Sequence, residues 1–226
     1  MASDPGARTL LPPPLAQARN GRTLNAPSPD GPGANAQDPA GGGEFADGGT
    51  EPPFGGEAMS PDPAAMRRVC GHFATGVTVV TAVADEGWIG ATVNSFTSVS
   101  LDPPWVLFCL RHDSRLLTAI RAGGQFAVSI LAAGQSGVAM DFAGKGLPSF
   151  DGLDCLTGAT GAPVLRGSVG YLECRLAEEY PGGDHRIVVG AVTALGVLGE
   201  RAAADRDDPL TFYRGRLARL DKECER

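Results

Sequence analysis

The sequence predicts a mainly β domain: an antiparallel barrel with a few short helices, preceded by a Pro- and Gly-rich tail. Three observations lead there. Short runs rich in β-branched and aromatic residues recur from Val77 onward, divided by Gly, Pro and Asp. Apolar residues at helical spacing are confined to brief segments. No Gly-x-Gly-x-x-Gly follows a strand and opens a helix, so a doubly wound dinucleotide fold is absent. Antiparallel strands of this kind protect their edges by closing on themselves.

Residues 1–60 include PPPL, PSPDGPG, AGGG and EPPFGG, with few large apolar side chains. Such a stretch resists helices and ladders and has little apolar area to offset ordering entropy, so a disordered tail is expected. The folded domain is expected over residues 61–222. It opens at Ser60-Pro61-Asp62-Pro63, where Ser or Asp can cap free amides and Pro tolerates a first turn. A short helix from Ala64 ends near Gly71. Val77–Val83 is a strand, Asp85-Glu86-Gly87 turns it, and Trp88–Val93 returns antiparallel. Leu101-Asp102-Pro103-Pro104 is expected to interrupt any ladder, because Pro lacks the N–H. Trp105–Leu110 then forms a buried strand. Leu116, Leu117 and Ile120 mark a helix over Ser114–Ala122, with Asp113 or Ser114 as cap and Gly123-Gly124 as stop. Phe126–Leu131 is a strand, Gln135–Phe142 a second short helix, and Ala143–Pro163 a Gly-rich surface excursion. Ser168–Tyr180 and Ile187–Leu198 pair around Pro181-Gly182-Gly183, and Leu210–Tyr213 pairs with Leu217–Leu220 around Arg214-Gly215. No period of about 20–50 residues repeats, which excludes a solenoid or propeller.

The chain of 226 residues has a formal charge of −7 and a pI near 4.9. That balance lacks the basic patch a nucleic-acid partner requires. Five cysteines, Cys70, Cys109, Cys155, Cys174 and Cys224, are scattered without a Cys-x-x-Cys pair. They read as free, buried thiols of a reducing compartment, not as a disulfide frame or zinc site. No basic stretch followed by an apolar run opens the chain, and no apolar run approaches the roughly 18–20 residues of a spanning helix. A soluble cytoplasmic protein without membrane contact is expected.

The most informative stretch is GATVNSFTSVSLDPPWVLFCL, residues 90–110. Thr92, Asn94, Ser95 and Thr97 fall within six residues, Ser98 and Ser100 follow, and the first charge is Asp102. Small neutral donors and acceptors beside a buried strand suit a flat, heteroatom-rich ligand held in a dry cleft. The same text also reads as a hairpin arm with a Ser/Thr-rich solvent face. Walker, nucleophile-elbow, His-Glu-x-x-His and EF-hand motifs are all missing, so redox chemistry would have to come from a cofactor held by another fold.

Residues 90–110, Ser114, FAVSIL at 126–131, GDHRIVVG at 183–190 and PLTFYRGRLARL at 209–220 together resemble the short-chain NAD(P)H:flavin oxidoreductases. These are the reductase components of two-component flavin monooxygenases. The resemblance runs over about residues 64–220 in family order, and Phe73 with Thr75-Gly76 fits the family's entry into its first strand. It implies an FMN-binding split β-barrel of Greek-key antiparallel strands, a homodimer, FAD or FMN as flavin, and NADH or NADPH as hydride donor. It further implies a separate monooxygenase that receives reduced flavin.

By position, the resemblance assigns Thr92, Asn94, Ser95, Phe96, Thr97 and Ser98 to the isoalloxazine. Ser114 falls at the flavin phosphate, with Arg111, Arg115 and Lys145 as further candidates, and His185 faces the nicotinamide. Phe212 and Tyr213 are candidates for the flavin edge or for plain core. No residue is assigned as a catalytic acid, base or nucleophile, and none as a metal ligand. A reductase needs none: it must stack two flat rings at about 3–3.5 Å. Two other readings stay open, a flavin-binding module without turnover and a split-barrel oxidase of the pyridoxamine-phosphate type.

Overall fold

The computed structural model describes residues 61–144, 146, 148–198 and 208–220. These belong to one of the chain's two units, Phe54–Arg226; the other, Met1–Pro53, falls wholly outside the described residues. The expectations for the tail at 1–60, for Lys145 and for Cys224 also lie outside them.

Helix α1 (Pro63–Cys70) starts where Asp62 accepts from the amides of Ala64 and Ala65 at 2.7 and 2.8 Å. The strands β1 (Thr75–Gly76), β2 (Thr78–Ala84), β3 (Gly87–Val93), β4 (Thr97–Leu101) and β5 (Pro104–Arg111) follow. Helix α2 (Arg115–Gly123) is capped by Ser114 and closed by Gly124 in the left-handed region, φ 66°. After β6 (Gln125–Ile130) come α3 (Ser136–Asp141) and the small pair β7 (Cys155–Thr157) and β8 (Pro163–Leu165). The long strands β9 (Gly170–Gly182) and β10 (His185–Val197) precede the hairpin β11 (Leu210–Tyr213) and β12 (Arg216–Arg219).

Seven strands form one antiparallel sheet in the order β3-β2-β6-β9-β10-β5-β4, and β1, β11 and β12 form a second sheet. Among the described residues no ladder joins β3 to β4. Strands β3 and β5 nevertheless touch, so the large sheet is curled. The predicted β class holds, as a curl that is not closed by hydrogen bonds.

Both faces of the curl are covered. The inner face joins Val80, Val93, Phe108, Phe126, Cys174 and Val188 to Leu116, Leu117 and Ile120 of α2. The outer face of β2 and its neighbours packs Val77, Val79, Leu131 and Leu210 against Ala139 and Phe142. Burial on two sides explains why β2 reads as an almost unbroken β-branched run. At the centre of the inner face the rings of Phe108 and Phe126 meet edge to face, with centroids 5.2 Å apart.

Four expectations change. Residues 97–101 form a strand, because Pro103 and Pro104 occupy the tight turn into β5, where a missing N–H disrupts no ladder. Pro181 is inside β9, beyond Arg175 where β6 stops pairing, so among the described residues no strand pairs with that edge there. The 143–163 excursion is not all surface: Phe150, Leu153 and Cys155 pack on the outer core. The described cysteines are free, as expected, but only Cys174 is buried; its thiol is pushed up to about 12, chiefly by burial. Cys70 is exposed because α1 buries none of its residues.

A Cβ at Gly190 would lie 2.3 Å from the Phe126 ring. Gly190→Ala is therefore expected to lower stability by about 1–3 kcal/mol or more. Gly134→Ala, with nothing within 4 Å, is expected to stay within about 0.5 kcal/mol. Urea unfolding midpoints check the pair.

Candidate functional site

Alternation along the strands sorts the predicted residues by face. Val93 and Ala91 point to the inner core, so Thr92 points outward. Cys109 and Arg111 alternate with the inner-facing Phe108 and Leu110 and also face outward. His185 stands directly opposite Arg111 in the β5–β10 ladder, and side chains opposite one another share a face.

The polar segment is held by its own chain. The Thr92 hydroxyl donates to the Ala139 carbonyl at 2.6 Å, and the Thr92 amide donates to the Phe142 carbonyl at 3.0 Å. These two bonds dock α3 on β3. The approach needs Gly90, since a Cβ there would lie 2.8 Å from the Phe142 ring. Phe150 closes the arrangement, edge-on to both Phe142 and Trp88. The Ser95 hydroxyl accepts from the Cys109 amide at 2.9 Å and staples the start of β4 to β5. Thr97 and Ser98 are exposed on the edge strand, and Phe96 packs on the inner core.

A pocket of about 240 Å³ opens where β3, α3 and the C-terminal hairpin meet. Asn94 and Thr92 line it with Val77, Ala139, Met140 and Phe212. Asn94 is exposed, and its amide is not taken up by any other described residue. Flat apolar walls with one free neutral amide and no charged lining suit the edge of an uncharged aromatic ring system.

The second group sits at the end of β5. Arg111 lays its guanidinium on Asp113, Nε–Oδ1 3.0 Å and Nη2–Oδ2 3.2 Å, which holds the Asp113 carboxyl below its usual range. Ser114 caps α2, its hydroxyl accepting from the Leu117 amide at 3.4 Å. Across the ladder, Gly183 at φ 68° and Asp184 make the turn from β9 into β10. The Asp184 carboxylate pairs with His185 Nδ1 at 2.7 Å, an interaction that lowers the carboxyl's pKa. With Nδ1 engaged, the other ring nitrogen of His185 is the one left to meet a ligand. His112 uses both its amide and its Nδ1 on the Asp184 carbonyl, at 3.3 and 2.9 Å, and so ties the turn to β5.

A profile described as a flavin reductase like domain matches residues 70–221. The chain belongs to the flavin reductase family. It is 40% identical over 162 residues to the reductase subunit HsaB of a flavin-dependent monooxygenase from Mycobacterium tuberculosis, covering 72% of this chain and 84% of that one. An NADH-dependent FAD reductase of Streptomyces globisporus is 46% identical over 142 residues, covering 60% and 78%. Among solved structures, the Streptomyces globisporus NADH:FAD oxidoreductase SgcE6, in complex with NAD and FAD fragments, superposes with a TM-score of 0.68. That match has 40% identity and covers 75% of this chain and 100% of that one.

In this flavin reductase family member, Thr92 and Asn94 meet at the pocket, while Arg111, Ser114 and His185 gather at the end of β5. Sequence reasoning missed Ala139, Met140, Ala143 and Leu217 as pocket walls, since small and aliphatic residues carry no chemical signal. It also gave His112 no role. Of the two aromatics left open, Phe212 lines the pocket, whereas Tyr213 is exposed and edge-on to His72. Among the described residues no cluster of His, Cys, Asp or Glu could hold a metal, and no helix is long and apolar enough to cross a membrane.

Beside the site, Glu179 pairs with both Arg121 and Arg186 and is held at about 2, Arg121 being the main cause. Its folded value lies below the unfolded one of about 4.5. The stabilisation is therefore complete above about pH 4.5 and is lost as pH falls through about 2, a contribution on the order of 2 kcal/mol. Glu179→Gln is expected to be less stable at pH 7 and to show a flatter decline over that window. Urea midpoints from pH 6 downward test it.

Proposed function

We propose that this chain is a flavin reductase that oxidises NADH, reduces FAD or FMN, and supplies the reduced flavin to a separate flavin-dependent monooxygenase. The observation that carries this reading is shared placement: Thr92 by the pocket, and Arg111 and His185 on one rung of the ladder, all on the outer face. Its similarity to the reductase subunit of a flavin-dependent monooxygenase and to an NADH-dependent FAD reductase supports it.

Flavin, when bound, supplies the hydride-accepting ring. Asn94 holds its neutral edge, and Phe212 and Leu217 exclude water from that end. The nine-residue helix α2 offers its first amides and positive dipole end to a flavin phosphate, beside Arg111 and Arg115. Lys145, by its place in the family pattern alone, is a further candidate for the same phosphate. His185, oriented by Asp184, meets the nicotinamide. The role of Thr92 and Ser95 is to fix the segment that presents Asn94, while Thr97 and Ser98 offer hydroxyls on the exposed edge. Nothing in the arrangement acts as acid, base or nucleophile; it positions two rings for direct transfer.

The working form in this proposal is a homodimer with the family's split barrel. Helix α1 buries none of its own residues, and Met66 and Val69 on it and Phe73 just after it are 54%, 58% and 77% exposed, which suits cover by a second copy. The free thiols of Cys70, Cys109, Cys155 and Cys174 suit a cytoplasmic location. The folded unit in this reading is residues 61–222.

With purified protein, NADH absorbance is expected to fall only when FAD or FMN is present under air. Absence of flavin-dependent oxidation with both NADH and NADPH would overturn the proposal. Asn94→Ala is expected to weaken flavin binding several-fold, for a hydrogen bond worth about 0.5–1.5 kcal/mol. Ser95→Ala is expected to cost a similar amount of stability with flavin affinity little changed. His185→Ala is expected to raise the KM for NADH while flavin titration stays near wild type.

A further inference from the structure

The β9–β10 turn that presents His185 has a weak point in its support. Strand β6 pairs with β9 only as far as Arg175, and Leu176 makes one more bond, to the Gly124 carbonyl at 2.9 Å. Among the described residues, one edge of β9 has no strand beside it from 177 to 182. The ladders to β10 and β5 hold the other side.

Glu179 sits in this stretch, opposite Val188. Val188 is fully buried on the inner face, so Glu179 shares that face, under α2. Its side chain is only 14% exposed. It takes Arg121 of α2 as a fork, with Nε–Oε2 at 2.8 Å and a second bond from Nη2 to Oε1. The same Oε1 accepts from Nε of Arg186, the residue after His185 and diagonal to Glu179 across the ladder. One carboxylate therefore bridges three elements: α2, β9 and the start of β10.

Resting on the reductase reading above, we propose that Glu179 is a positioning residue for nucleotide binding: through Arg121 and Arg186 it locks the inner side of the strand whose outer side presents His185. Side chains at 185 and 186 point to opposite faces, so fixing Arg186 from below fixes the height and tilt of His185 above. Arg121 is a firm anchor, because Leu116, Leu117 and Ile120 of the same helix are fully or almost fully buried. It also lies in the last turn, where a cation suits the helix dipole. The flavin side depends on Asn94 and on the opposite end of α2, which the core holds without the clamp. Losing Glu179 thus loosens one ligand's site and spares the other's.

The test uses the full chain and three variants, Glu179→Gln, Arg121→Gln and Arg186→Lys, assayed well below their melting temperatures. Glu179→Gln is expected to raise the KM for NADH about tenfold, with flavin affinity within about twofold of wild type. Amide exchange at Gly183–His185 is expected to quicken in the same variant. Arg121→Gln is expected to act in the same direction and serves where Glu179→Gln folds poorly. Arg186→Lys keeps the charge but not the fork, and is expected to fall between wild type and Glu179→Gln. An unchanged KM for NADH, unchanged exchange at the turn, or equal losses of flavin and nucleotide affinity would each overturn the inference. A wild-type protein that oxidises neither NADH nor NADPH would instead overturn the reductase reading, while the exchange measurement would still report on the clamp.

Discussion

The fold turns on the place where Phe126 lies against Gly190. The ring occupies the space a side chain at 190 would fill, and its edge-to-face contact with Phe108 carries packing on to β5. The β9–β10 ladder shifts register between Val189 and Gly190, the same point. A shift there bends the strand pair and strengthens its twist, and this allows a sheet seven strands wide to curl. With the curl in place, β3 touches β5, and α2 covers the inner core they enclose. Without it, the helix would have only one wall to pack on.

Curling divides the chain's chemistry between two surfaces. Inward positions are apolar and closely packed; outward positions of the same strands carry Thr92, Arg111 and His185. Thr92 and Arg111 are therefore rigid from behind, each one residue away from a core contact, whereas His185 is backed by Arg186 and its carboxylate partner Glu179. Several of the candidate site's polar end groups are mutually engaged: Arg111 with Asp113, His185 with Asp184, and Glu179 with two arginines. The pocket itself is left to Asn94 and apolar walls. That separation suits a protein whose task is to stack neutral rings and to grip their charged ends elsewhere.

Much of this was legible in the sequence, because periodicity and turn chemistry are local. The β-branched run at 77–83, the cap at Ser114, the stop at Gly124 and the turn at Arg214-Gly215 each depend on a few neighbouring residues. The last has φ of 50° and 78°, as a tight two-residue hairpin turn requires. The strand at 97–101 was harder to read. Its Ser/Thr-rich face mimicked a ligand loop, and the prolines that seemed to break a ladder lie at the corner of one. The hairpin-arm reading and the ligand reading of residues 92–98 each describe part of it: Ser95 bonds to backbone, and Asn94 is free for a ligand.

By itself the sequence determined the β class, the sites of most turns, the free state of the described cysteines and the family, since all of these follow from residue type and order along the chain. Only the tertiary structure decided which hydroxyls were already spent on the chain's own carbonyls. It alone brought α3 and the C-terminal hairpin together around Asn94, and set Arg111 opposite His185. It alone placed Glu179 between two arginines. The physical reason is that register and curl are properties of strand pairs distant in sequence. A one-residue slip would move every one of these side chains to the other face, and no local pattern reports that choice.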